Sequence, residues 1–331
     1  MKKGVKIIGA ILGLAIVVFL IVSFLPTKSL LVLGSFLGNS NNSTLEVDKN
    51  LASQPINIAI MGFTGAGNNG AYLTDSLMVA HIDPKANKVT LISVPRDLLV
   101  SNSQGGSTKV NGIFWEANEK NTNIFGNPNF STIKPELETV TGLPIDYAAV
   151  FDVEAVRAVV NGLGGLNVYI SERVSDPNLN DSTGTGSYFD LEPGWRYLDG
   201  NMVVSLVRSR YAKNGDFFRI KHQQQVLLAL GEKLKDLNFL TDGSKLLQIK
   251  KDINGHFATD LNNNQLFTLA SLLAKIPQEN WKFAAISFEE PNPLLVSTMI
   301  TTNTGYGYVL IPRAGSNNYS AIQSYIAQLI N

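Results

Sequence analysis

Apolar positions fall in short runs along most of the chain, and their spacing switches between that of strands and that of helices. Residues 56–61 alternate and are β-rich, which predicts a buried strand. Residues 76–82 and 88–94 predict two more, joined across Asp83-Pro84-Lys85-Ala86-Asn87, whose turn chemistry closes a hairpin. Further on, 134–142 predicts a helix stopped by glycine, 147–151 a strand, 153–162 a helix, and 164–170 a turn into another strand. Residues 171–190 are polar and read as a loop. Met202, Val203, Leu206 and Val207 have helical spacing, although their β-branched members leave a strand open. Helices follow at 217–234 (Asp216 as N-cap), 244–252 and 264–274. Strands at 282–287 and 308–311 and a last helix at 319–330 are expected to complete the sheet. This alternation predicts an α/β fold, a mixed central β-sheet covered by helices on both faces.

The N-terminal pattern is different. Lys2, Lys3 and Lys6 precede an uncharged, almost wholly apolar run of 19 residues, 7–25, ending at Pro26. At about 1.5 Å per residue it comes close to the ~30 Å hydrocarbon core of a bilayer. It exceeds a signal-peptide core of roughly 7–15 residues, and no small-residue cleavage site follows closely. The expected organisation is a cytoplasmic stub and transmembrane helix at 1–27, a juxtamembrane segment and linker at 28–51, and one extracytoplasmic domain at 52–331. A cleaved signal is the alternative.

Composition narrows the chemistry. With 27 basic and 27 acidic side chains, no global field steers the protein to nucleic acid. The absence of cysteine excludes disulfides and thiolate catalysis, and three scattered histidines (His81, His222, His256) argue against a histidine-rich zinc site. The glycine-rich stretch 62–70 lacks the G-K-[S/T] of a phosphate loop and reads as a surface loop. Against this neutral background, residues 207–225 gather Arg208, Arg210 and Arg219, followed by Gln223 and Gln224. Arg219 and Gln223 lie one turn apart at a helix N-terminus, where the macrodipole disfavours cations unless an anion sits between them. Surface arginines paired with Asp199 and Asp216 are the other reading. Arg96 and Asp97 follow Pro95, where a strand leaves its sheet and side chains commonly meet ligands.

Several of these segments together resemble the LytR-CpsA-Psr (LCP) family. They are T-D-S-L-M-V-A-H-I-D-P-K-A-N-K-V-T-L-I-S-V-P-R-D at 74–97, K-V-N at 109–111, L-x-G-N from Leu198, R-S-R at 208–210, D-F-F-R at 216–219, the glutamine run, and V-L-I-P-R-A-G at 309–315. The resemblance implies a metal-assisted phosphotransferase of cell-wall biogenesis at the cell membrane. Such enzymes move a glycopolymer such as wall teichoic acid, with its phosphate, from a polyprenyl-pyrophosphate carrier to a peptidoglycan sugar hydroxyl. By motif position, Arg96, Arg208, Arg210, Arg219 and Gln223 would hold the pyrophosphate. Arg96, Asp97 and Lys109 would serve catalysis, Asp97 as an orienting carboxylate or base, and Asp75 would bind Mg²⁺ or Mn²⁺. Thr64 stands where the resemblance would place a second acidic ligand. A pyrophosphatase acting on the same lipid-linked glycan, or a non-catalytic binder of it, are the competing functions.

Overall fold

The computed structural model describes residues 47–331 except 66–71, 102–105, 120, 122, 181–187, 210–221, 223–224, 227–228, 231, 234–242, 274, 289–292 and 303–304. In chain order the elements begin with β1 (Ile56–Phe63), β2 (Ser76–Asp83), β3 (Lys88–Ser93), β4 (Leu99–Ser101) and β5 (Ser107–Lys109). Helices α1 (Val110–Asn118) and α2 (Ile133–Thr141), strand β6 (Tyr147–Asp152) and helix α3 (Val153–Gly162) come next. Strands β7 (Leu166–Ile170), β8 (Val174–Asn180), β9 (Tyr188–Leu191) and β10 (Gly194–Leu198) lead into α4 (Gly200–Arg208). The remainder is α5 (Gly243–Asp252), β11 (Phe257–Thr259), α6 (Asn263–Leu273), β12 (Trp281–Ala285), β13 (Leu295–Thr302), β14 (Gly305–Pro312) and α7 (Ser320–Ile330).

Six strands form the central sheet in the order β11-β6-β1-β2-β3-β12. β1 pairs parallel with β6 and antiparallel with β2, while β3 is antiparallel to β2 and parallel to β12. Strands β1, β3, β6 and β12 therefore run the same way, and their carboxyl ends share one edge. Every residue of β1 is buried, as expected of a strand with both faces covered. Alternate side chains feed two cores. Ile58, Ile60, Met78 and Leu91 pack on the side of α3, α4, α5 and α6. Ala59, Met61, Leu77, Val79 and Ile92 pack on the side of α1, α2 and α7. The mixed sheet with helices on both faces is thus as the sequence predicts.

Local signals place the predicted boundaries well. Asn87 takes the left-handed conformation (φ 55°) that the β2–β3 turn needs, and Gly142 (φ 73°) ends α2. Two expectations are corrected and two open stretches are assigned. Residues 171–190 are not simply loop, because β8 and β9 pair antiparallel there and bury Val174, Phe189 and Leu191. The 308–311 strand belongs to β14, which pairs with β13 in its own two-stranded sheet rather than completing the central one. Residues 110–118, unassigned in the sequence, form α1 directly after β5. The undecided 200–208 segment is helix α4, fixed by the Asp199 side chain accepting from the Met202 N–H. His81 is buried in β2 and its Nδ1 lies 2.8 Å from Asn57 Oδ1.

Candidate functional site

The shared carboxyl edge of the parallel strands collects the charged groups. Register alone lines them up. Phe63 at the end of β1 pairs with Asp152 at the end of β6, and Gly62 pairs with Ser76. Continuing that antiparallel register by one residue sets Asp75 opposite Phe63. The β2–β3 register, Met78 with Ser93, continues to place Arg96 opposite Asp75. On the other side Phe257 pairs with Phe151, and the Asp152 N–H donates to the His256 carbonyl at 3.1 Å. His256, Asp152, Phe63, Asp75 and Arg96 thus form one row across the end of the sheet. Alternation puts the row on the face of the α1, α2 and α7 core.

Four of the sequence-predicted residues meet at one end of this row. Arg96 Nη1 donates to Asp75 Oδ1 at 2.5 Å and its Nε to Asp97 Oδ2 at 3.4 Å. Lys109 Nζ donates to Asp97 Oδ1 at 2.7 Å. The side chains are partly open to solvent, from 17% for Asp97 to 35% for Lys109, so ligand can reach them. Their backbone is tied down as well. Lys109 ends β5 opposite Leu99, Asn111 N–H donates to the Arg96 carbonyl, and Thr74 donates to the Asn111 carbonyl through both its N–H and its hydroxyl. The K-V-N segment therefore clamps the backbone of Arg96 and of Thr74, the residue before Asp75. Two carboxylates and two cations sum to no net charge.

Arg208 stands in the last turn of α4. The next residue, Ser209, is fully buried and its hydroxyl donates to the buried Asp176 of β8 at 2.9 Å, which fixes the point where Arg208 leaves the helix. Arg210, Arg219 and Gln223 fall outside the described residues. Thr64 follows β1 at the site edge and is half-buried.

At the other end of the row stands a pair that the sequence did not single out. Asp152 is 4% exposed and caps α3, its Oδ1 accepting from the N–H groups of Glu154 and Ala155. Its Oδ2 lies 2.8 Å from His256 Nδ1. Burial pushes the Asp152 carboxyl above the usual range, opposed by the bond and charge of His256 and by the two backbone donors. Gly65 (φ 80°) lies against this carboxylate, where a Cβ would come within 3.3 Å of Oδ2. Between the two ends lies an aromatic floor. Phe63 meets Tyr72 (ring centroids 5.7 Å apart) and Phe125 (5.5 Å), Tyr72 stacks on Trp115 (4.7 Å), and Phe125 reaches His256 (6.1 Å).

Among the described residues, no group of three or more His, Cys, Asp or Glu side chains is arranged to hold a metal ion. Asp75 and Asp97 supply two hard oxygen donors, each already bonded to a cation. That set fits a divalent ion that arrives with phosphate oxygens, since Mg²⁺ is commonly held by one or two carboxylates plus substrate. It does not make a cage of its own.

The protein is thus of the open α/β-sheet class, and its basic and acidic cluster stands at the carboxyl edge of the strands, where such sheets commonly bind ligands. The chain belongs to the LytR_cpsA_psr family, whose model matches residues 36–314. It is 26% identical over 296 residues to the polyisoprenyl-teichoic acid–peptidoglycan teichoic acid transferase TagU of Enterococcus faecalis, covering 84% of this chain and 88% of that one. Its fold is similar to the crystal structure of B. subtilis TagV, with a TM-score of 0.59 at 20% identity over 83% of this chain and 97% of that one. It is also similar to a structure of TagT bound to LIIa-WTA, with a TM-score of 0.57 at 19% identity over 86% and 92%.

Proposed function

We propose that this protein transfers a glycopolymer, with its phosphate, from a polyprenyl-diphosphate carrier to a sugar hydroxyl of peptidoglycan. The observation that carries the reading is the Asp75–Arg96–Asp97–Lys109 network at the carboxyl edge of the sheet, in a chain of this family. In the reaction the acceptor hydroxyl oxygen bonds to the phosphorus that bears the glycan. The bond from that phosphorus to the bridging oxygen breaks, and polyprenyl phosphate leaves with the electron pair.

The residues divide the work by charge. Arg96 is pre-oriented between Asp75 and Asp97, so its planar fork meets phosphate oxygens without first losing freedom. Lys109 adds a point charge, and Asp97 is the strut that aims both cations rather than a base. Because this network is neutral, the surplus positive charge that a diphosphate requires comes from Arg208, Arg210 and Arg219, with Gln223 as a further donor. A Mg²⁺ or Mn²⁺ ion held by Asp75 and the substrate would further neutralise the leaving phosphate. The acidic ligand expected at position 64 is a threonine, so the metal depends more on the substrate than on the protein.

For localisation, the apolar run at 7–25 is proposed as a membrane anchor with the globular part outside the cytoplasm. It lies outside the described residues, and no helix among those described is long and apolar enough to cross a membrane.

The test uses the full chain in detergent with Mg²⁺, a prenyl-diphosphate-linked disaccharide as donor and a peptidoglycan oligosaccharide as acceptor. Mass spectrometry is expected to find the covalent phosphodiester product. Release of the glycan phosphate alone would make the protein a hydrolase, and tight donor binding without turnover would make it a binder.

A further inference from the structure

The proposed transfer leaves one requirement unmet: the acceptor hydroxyl must lose its proton, and Asp97 is engaged with two cations. We propose that His256, oriented by Asp152, is the general base that takes this proton. The inference rests on the transferase reading and assigns the acceptor side of the same site.

Geometry carries it. The Asp152 carboxylate accepts two backbone N–H groups at Oδ1, and its Oδ2 lies 2.8 Å from the imidazole Nδ1, the distance at which a carboxylate takes an Nδ1–H. That tautomer leaves the lone pair on Nε2. The His256 side chain is 37% exposed while Asp152 is 6%, the division between an open base and a buried orienting group. Both lie in the row that ends in Asp75 and Arg96. At roughly 4.8 Å per strand, the Asp152 and Asp75 backbones stand about 10 Å apart. The end groups lean inward along this row, Arg96 toward Asp75 and His256 toward Asp152. In this assignment the reacting phosphorus sits over this edge, with the donor on the Arg96 side and the acceptor on the His256 side. Phe125, partly exposed and backed by the buried Phe63, reaches the imidazole and suits the apolar face of a sugar ring.

The step balances. The hydroxyl oxygen keeps the O–H electron pair as its bond to phosphorus forms, the proton moves to Nε2, and the bridging oxygen departs on polyprenyl phosphate. Asp152 faces the resulting imidazolium. The proton then passes to water as product leaves.

The pair also has a structural role, and the two are separable. His256 closes the turn into β11 through its backbone, its N–H donating to Ile253 and its carbonyl accepting from Asp152. His256→Gln keeps those bonds. In the full chain with the donor and acceptor named above, this variant is expected to lose transfer roughly 100-fold. Its affinity for the donor and its melting temperature stay near those of the wild type. Imidazole in the buffer is expected to restore part of the activity of His256→Gly. Asp152→Asn, an equally good helix cap, is expected to keep stability and lose about tenfold in kcat with KM unchanged. Transfer by His256→Gln at more than half the wild-type rate would overturn the assignment alone. So would a loss of transfer matched by lost donor binding and a lowered melting temperature, or no rescue by imidazole. Absence of any glycan–acceptor product from the wild type would instead overturn the transferase reading, and this inference with it.

Discussion

Arg96 shows how much one side chain is asked to do. Its guanidinium bonds two carboxylates from different segments and still faces solvent, an arrangement that fixes direction more than it stabilises. Arg96→Lys keeps the charge and loses the fork. The expected result is a drop of at least tenfold in kcat/KM with melting changed by a few degrees at most, checked by steady-state transfer and calorimetry. Arg208→Ala should weaken donor binding while the fold survives, as read by titration with the prenyl-diphosphate donor and by circular dichroism. His81 supplies a pH prediction of known sign. Burial lowers its pKa below 6.5, against the opposing charges of Asp83 and Asp146. The unfolded chain therefore takes up a proton that the folded one resists. His81 costs nothing above about pH 6.5, and stability falls as pH drops below that. Urea midpoints measured at pH 8, 6.5 and 5 should show this slope, and His81→Asn should flatten it.

At the scale of elements, a glycine in α4 decides where Arg208 stands. A Cβ on Gly200 would lie 2.5 Å from the Arg157 backbone oxygen and 2.9 Å from Asn161 Oδ1 of α3. The backbone oxygen cannot swing away, so the helix must move. Gly200→Ala in an unhindered helix would gain up to about 1 kcal/mol, but here overpacking at about 1–3 kcal/mol prevails. A lowered urea midpoint together with weaker donor binding is expected; lost stability with unchanged binding would detach Arg208 from the site. The same scale shows what the sequence reveals. Strands β1, β2 and β3 are legible because they are short, β-rich, mostly apolar and bounded by turn residues. Strands β8 and β9 are not, because their buried positions are scattered among polar ones and pair only through a longer connection. Asp75, Arg96, Asp97 and Lys109 are legible as motif positions. The Asp152–His256 pair is not: Asp152 falls between the predicted strand at 147–151 and helix at 153–162, and its partner lies 104 residues away.

For the molecule as a whole, the described body is tied down close to where it starts. Asp48 Oδ1 accepts from the Asn50 and Leu51 N–H groups, the Asp48 N–H donates to Thr268 Oγ1 at 2.7 Å, and Leu51 is buried in the core. These bonds close the chain onto α6. A protein beginning at Val47 should therefore melt within a few degrees of the full chain and bind a short-prenyl donor as well. What it should lose is the membrane. The full chain, carrying the apolar run at 7–25, is expected to stay with phospholipid vesicles through an alkaline wash, and the shortened one to remain in the supernatant. This separation matters for the chemistry, because a carrier lipid confined to the bilayer raises its effective concentration only for an enzyme confined beside it. With donor embedded in vesicles, the full chain should outpace the shortened one by at least tenfold, and with a soluble short-prenyl donor the two rates should agree. Equal rates on vesicles would remove the anchor from the account and leave the site intact. Unequal rates on the soluble donor would show that the segment before Val47 shapes the site itself.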